Sequence, residues 1–171
     1  MNRRHALMAG VAITAAATGA GWSWWQRSKA APDNHLWSLQ FDTPAGAAMQ
    51  VGAFRGKPLL LNFWATWCAP CVKEMPMLDA FHRQHQQAGW QVLGLAVDGP
   101  TPVKEFLASR PVGFPIGLAG LEGVELSRTL GNSNGGLPFT VVFDPQGRPA
   151  DRKLGALTEA DLTRWAAQMK A

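Results

Sequence analysis

Apolar residues run without a break through PLLLNFWA (58–65) apart from Asn62, and almost as densely through WQVLGLAVD (90–98) and PFTVVFD (138–144). Runs of this length suit strands buried on both faces, because half-exposed strands alternate. LWSLQF (36–41) does alternate, and TPAGAA then turns the chain into MQVGAF, so an N-terminal β-hairpin is predicted there. From Cys68 to about Gln87 the period becomes helical, with Met75, Leu78 and Phe81 on one face and Pro76 predicted to kink the helix. Thr101 as N-cap and Pro102 at the first helical position open a helix over 101–110. FPIGLA (114–119) reads as a weak strand or loop, and LEGVELSRTLG (121–131) as a short helix closing on Gly131. DPQG turns the chain into RPADRKLG, an edge strand in which Pro149 is tolerable. TEADLTRWAAQMK (158–170) is an amphipathic helix capped by Thr158, and Trp64, Trp90 and Trp165 fall at core positions.

Strands alternate with helices, a hairpin follows, and a helix closes the chain. That order predicts an α/β fold with a mixed central sheet flanked by helices. Ligand chemistry in such folds collects at the carboxyl ends of the strands. The only two cysteines, Cys68 and Cys71, fall at such an end, between LLLNFWA and a helix. The domain is expected over 36–171, after a polar linker at 31–35 and a separate leader over 1–30.

Charge matters only for that leader. The chain of 171 residues carries a formal +4, but Arg3, Arg4, Arg27 and Lys29 face no acid in residues 1–30, and the remainder is neutral, twelve bases against twelve acids. The basic balance is therefore no nucleic-acid footprint. Residues 6–25 are free of charge and long enough to cross a hydrocarbon core of about 30 Å as a helix. They are rich in Ala, Gly and Thr, which makes insertion weak. NRRHALM resembles a twin-arginine export signal, with Ala6 where Phe is expected, and Ser28 and Ala30 fit a cleavage site. Trp22, Trp24 and Trp25 beside Arg27 and Lys29 read instead as an interfacial belt tethering the chain to a membrane. Both readings, signal or anchor, place the domain outside the cytoplasm, periplasmic or facing the periplasm.

Three roles compete for the cysteine pair. A zinc site needs four ligands; His5 lies in the leader, His35 in the linker, and His82 and His85 read as a polar helix face remote from the cysteines. A structural staple closing so short a loop restricts the unfolded chain little. A reactive pair fits best. Cys68 sits at a helix start, where unpaired N–H groups favour a thiolate, and Cys71 lies one turn on, within reach of a mixed disulfide at Cys68. Ala69 and Pro70 keep the intervening turn uncharged and rigid. Cys68 is thus the attacking thiol and Cys71 the resolving one. No cofactor or metal is needed.

NFWATWCAPCVKEMP resembles the active-site strand and turn of the thioredoxin-like TlpA/ResA group of exported reductants, relatives of the cytochrome c maturation thioredoxin CcmG. GKPLLLNFWATWC and GLPFTVVFDPQGR follow the same pattern, and the resemblance covers about residues 36–170. It implies a thioredoxin fold with an N-terminal β-hairpin and a central insertion. It implies a cis peptide before Pro138, beside the cysteines, with the Leu137 backbone turned toward an extended substrate. It also implies that Glu74 acts with the thiols, taking the proton of Cys71; cytoplasmic thioredoxins place a buried Asp where this chain has Asn62, which cannot accept a proton. Trp67 would shield Cys68 and, with Ala69, Pro70 and Leu137, form the substrate-docking surface.

The expected activity is reduction of protein disulfides outside the cytoplasm, by a monomer fed with electrons from a membrane thiol reductase. A histidine between the cysteines would favour the reduced form and make an oxidant; its absence points to a reductant. An alternative is a dedicated apocytochrome c thiol reductant, although GNSNGGLPF replaces the GVxGxPE segment of CcmG proteins. A thioredoxin-fold peroxidase would want a lone cysteine preceded by Thr, where Trp67 stands here. A copper(I) chaperone would want Cys-x-x-x-Cys and a distal His, and the spacing is one residue short.

Overall fold

The computed structural model describes residues 34–169; the leader and its signal or anchor readings lie outside the described residues. Among the described residues no helix is long and apolar enough to cross a membrane. The chain forms α1 (Asn34–Ser38), β1 (Gln40–Asp42), β2 (Ala48–Gln50), β3 (Leu59–Trp64), α2 (Ala69–His85), β4 (Gln91–Ala96), α3 (Pro100–Ser109), β5 (Ile116–Leu118), α4 (Glu122–Thr129), β6 (Phe139–Phe143), β7 (Pro149–Leu154) and α5 (Glu159–Gln168). One mixed sheet runs β2-β1-β5-β4-β3-β6-β7. β3 lies near its middle, parallel to β4 and antiparallel to β6. The hairpin β1–β2 joins antiparallel to β5, which is inserted with α3 and α4 between β4 and β6. β7 is the edge strand, entered at Pro149 as the sequence predicts.

All six residues of β3 are buried, because both faces of the sheet are covered. Successive side chains point to opposite faces. Leu60 and Trp64 join Met75, Leu78 and Phe81 of α2, Val103 of α3 and Trp165 of α5. Leu59, Leu61 and Phe63 join Leu36 and Trp37 of α1 and Leu126 of α4. Asn62, in step with Leu60 and Trp64, therefore points toward α2. The final helix starts with a capping box between Thr158 and Asp161.

Four local expectations are corrected. The predicted strand over 36–41 is helical up to Ser38, and only Gln40–Asp42 pairs in the hairpin. Leu36 and Trp37 are neighbours and both are buried; a strand would send them to opposite faces, whereas a helical turn buries both. Trp37 Nε1 donates to the Gly147 carbonyl at 3.2 Å, and its ring meets Phe143 edge-on. The helix expected to be capped by Thr101 begins earlier, with Gly99 as N-cap and Pro100 at the first helical position. Proline is equally at home there, since its missing N–H would go unbonded in any case. His82 and His85 are no plain polar face: the His85 ring stacks on Phe81 at 4.5 Å and His82 lies edge-on to Phe114. The linker also ends sooner than predicted, as Asn34 and His35 already belong to α1.

Gly94, buried on β4, leaves no room for a side chain. A Cβ there would meet Ile116 Cδ1 at 2.6 Å, Trp64 Nε1 at 3.1 Å and Phe114 Cε2 at 3.2 Å. The isoleucine methyl can turn aside, but the two packed rings must shift. Gly94→Ala is expected to destabilise the fold by about 1–3 kcal/mol. In urea this reads as a lower midpoint at unchanged slope.

Candidate functional site

Cys68 and Cys71 are joined in a disulfide with Cα atoms 5.3 Å apart. β3 delivers the chain to this point through the turn Ala65–Trp67, and α2 starts immediately after it. Cys68 is the N-cap: its backbone is extended, and its sulfur accepts the Cys71 N–H at 3.3 Å. Ala69 and Pro70 fill the first two helical positions, where a proline forfeits no helical bond. The sulfur that would carry negative charge in the reduced pair thus sits against the N–H groups and positive end of a seventeen-residue helix. The two cysteines differ in access. Cys68 retains 6% exposure and Cys71 none, while Ala69 and Pro70 on the same turn are exposed. Trp67 is 69% exposed.

The turn is fastened from β4. Asp98 Oδ2 accepts both the Thr66 N–H at 3.0 Å and the Thr66 hydroxyl at 2.6 Å, and Asp98 Oδ1 accepts the Gly99 N–H at 2.8 Å. One carboxylate so ties the residue before Trp67 to the start of α3. The signal for Asp98 in the sequence is an acid directly after a buried strand, at the carboxyl edge of the sheet.

Glu74 is 3% exposed, one helical turn past Cys71 and on the same helix face. Its Oε1 accepts from Asn62 Nδ2 at 2.8 Å, and its Oε2 accepts the Leu157 N–H at 2.8 Å. Asn62 Nδ2 also donates to Thr140 Oγ1 at 3.0 Å, its partner directly across the β3–β6 ladder. Burial pushes the Glu74 carboxyl above its usual value; the Leu157 N–H, the Asn62 amide and the charge of Lys153 oppose the shift without cancelling it. Asn62 Oδ1 is buried without a partner.

The Leu137–Pro138 peptide is cis, Pro138 is buried, and half-buried Leu137 packs against the apolar cluster that contains both cysteines. The Pro138 carbonyl accepts the Gly155 N–H at 2.8 Å. The preceding GNSNGG segment, which composition alone marks as loose, is latched by buried Asn132, whose amide donates to Ser127 Oγ and to the Gly136 carbonyl. Arg152 Nε adds a bond to the Leu130 carbonyl at 2.6 Å. Among the described residues no group of three His, Cys, Asp or Glu side chains could hold a metal ion. The structure thus brings Cys68, Cys71 and Glu74 together on α2 and adds Asp98, Thr140, Leu157 and Asn132, which the sequence does not single out.

The AhpC/TSA family matches residues 28–165. The thiol-disulfide oxidoreductase ResA of Bacillus cereus is 30% identical over 118 residues, 68% of this chain and 66% of that protein, just under two thirds of its length. The ResA of Geobacillus thermodenitrificans is 31% identical over 133 residues, 77% of this chain and 71% of that protein. Among solved structures, a putative thiol:disulfide interchange protein DsbE from Chlorobium tepidum superposes with a TM-score of 0.66 at 24% identity, over 76% of this chain and 89% of that one. A secreted thiol-disulfide isomerase from Corynebacterium glutamicum gives 0.66 at 27% identity, over 75% and 81%. The fold is the thioredoxin fold, with the hairpin and the central insertion that the sequence resemblance implies.

Proposed function

Because the chain belongs to the AhpC/TSA family and to the ResA-type thiol-disulfide oxidoreductases, we propose that it reduces protein disulfides outside the cytoplasm through Cys68 and Cys71. The observation that carries this reading is the unequal access of two bonded cysteines at one helix start. In the reduced pair, the Cys68 thiolate attacks one sulfur of the client disulfide; that bond breaks and the first client thiolate leaves. Cys71 then gives its proton to ionised Glu74, and its thiolate attacks Cys68 Sγ. The mixed disulfide breaks, the second client thiolate departs, and protons from Glu74 and water complete both client thiols. Two electrons have passed to the client, and the protein holds the disulfide seen here. A membrane thiol reductase would restore the dithiol.

Glu74 suits the proton step. Its raised carboxyl accepts a proton more readily than an exposed one, and once the Asn62 amide turns over, Oδ1 can accept the new O–H. Trp67, Ala69 and Pro70 form the exposed rim around Cys68, and the cis-Pro138 turn offers the Leu137 main chain to an extended client. Membership among the ResA-type proteins, which the sequence resemblance links to the cytochrome c maturation thioredoxins, favours a dedicated apocytochrome c thiol reductant over the broader general reductant expected first. The domain is read as 36–171 carried outside the cytoplasm by the leader over 1–30, and as a monomer.

Direction is tested by the two-electron potential of the full chain against a defined thiol buffer. A value near or below about −270 mV is expected of a reductant, and a value near about −120 mV would make the protein a disulfide donor instead. Substrate class is tested with an oxidised Cys-x-x-Cys-His peptide, the haem-attachment sequence of c-type cytochromes. Reduction no faster than that of unrelated disulfides would favour the general reductant.

A further inference from the structure

An open groove of about 650 Å³ lies where the ends of β4 and β5 meet the start of α4. Trp67, adjacent in the chain to Cys68, forms one wall. Leu121, 85% exposed, forms another. These are two of the three large apolar side chains exposed among the described residues. Asp42, Asp98 and Glu122 also line the groove, and no Lys, Arg or His does. None of the three carboxylates is in an ion pair among the described residues. A second hollow of about 520 Å³ shares Asp42 and Glu122 with the first and lies along β1 and α4, where Glu125 and His35 also line it.

A folded domain that leaves two large apolar groups in water, beside like charges that no ion pair among the described residues offsets, has a surface complementary to an apolar and cationic partner. The groove is open rather than enclosed, which suits an extended chain. Through Trp67 it reaches the residue directly before Cys68. We propose that this groove docks the client polypeptide, and that it selects segments bearing lysine or arginine beside an apolar residue close to the disulfide to be reduced. The inference rests on the reductase reading, and adds to it a client chemistry. Trp67 and Leu121 clasp the apolar side chain, while Asp42 and Glu122 attract the cation and hold the segment with its disulfide against Cys68. Asp98 contributes charge but also fastens Thr66, so it is not the residue to alter first.

The test uses the full chain, reduced beforehand, in single-turnover reactions followed by thiol alkylation. Three substrates are compared: two peptides of equal length whose disulfide is flanked by Lys-Leu or by Glu-Leu, and the small neutral 2-hydroxyethyl disulfide. The Lys peptide is expected to react about tenfold faster than the Glu peptide at low ionic strength, with the gap narrowing at about 0.5 M salt. Asp42→Asn with Glu122→Gln should remove most of that preference and leave the rate with 2-hydroxyethyl disulfide unchanged. Leu121→Ser should slow both peptides but not the small disulfide. Equal rates for the two peptides, or a preference that survives the double substitution, would overturn the proposal while the reductase reading stands. Failure to reduce even 2-hydroxyethyl disulfide would overturn both.

Discussion

Cys68→Ala is expected to abolish disulfide reduction, whereas Cys71→Ala should retain the first attack and accumulate client proteins bound through Cys68. The two sulfurs share one bond, but only Cys68 has a face to solvent; Cys71 is fully covered. Cys68 also stands at the helix N-cap, where the N–H of Cys71 already points at its sulfur and would stabilise a thiolate. Neither substitution should unfold the protein. A disulfide spanning so few residues removes little freedom from the unfolded chain, so its loss costs about 2 kcal/mol at most in chain-entropy terms. Non-reducing gels of Cys71→Ala after incubation with an oxidised client measure the trapped species. A Cys68→Ala protein that still reduced disulfides, or a Cys71→Ala protein that trapped nothing, would reverse the assignment.

Glu74→Gln should slow resolution of the mixed disulfide by about a hundredfold, the lower end of what a positioned base contributes. The wild-type rate of that step should fall as pH drops through the raised Glu74 value, since only the ionised carboxylate can take the Cys71 proton. The glutamine variant should lose this dependence on pH. A merely structural Glu74 would leave the pH profile intact.

Stability should move the other way. Folding raises the Glu74 pKa, so the native state holds that proton more tightly than the unfolded chain does. The stability this linkage supplies is full below the ordinary glutamate value of 4.5 and is lost as pH climbs through the raised value. Glutamine does not titrate, so Glu74→Gln should gain on wild type as pH rises through the raised value. It can keep the Leu157 N–H bond through its carbonyl, and its amide can donate to the unpartnered Asn62 Oδ1 once Asn62 turns. Denaturant midpoints of both proteins from pH 4 to pH 8 check the sign, and parallel curves would remove the linkage.

Local pattern carried most of this far. A short unbroken apolar run bounded by turn residues suits a strand covered on both sides, and β3, β4 and β6 are such strands. A cysteine directly after such a run, followed by helical spacing, places the pair at a sheet edge and a helix start, because strand and helix periods are properties of neighbouring residues. Glu74 is singled out by the resemblance to the TlpA/ResA group, and helical spacing adds only that it lies three positions past Cys71 on one helix. The same resemblance marks Asn62 as standing where cytoplasmic thioredoxins place a buried Asp.

What local pattern could not carry was decided by contacts between distant residues. Alternation across 36–41 is compatible with a strand, and only the demand to bury both Leu36 and Trp37, with a bond from Trp37 to Gly147, makes it a helix up to Ser38. Nothing near Glu74 in sequence names Leu157, 83 residues away, as the donor that holds its second oxygen. Asp42 of β1, Asp98 in the turn after β4 and Glu122 of α4 line one groove only when these segments converge. The sequence by itself thus determined the reactive pair and the strand and helix that present it, since these depend on short-range period and capping. Tertiary structure alone decided the buried partners of Glu74, the clamp on Thr66 and the groove beside Trp67, since desolvation and charge grouping exist only once remote segments pack.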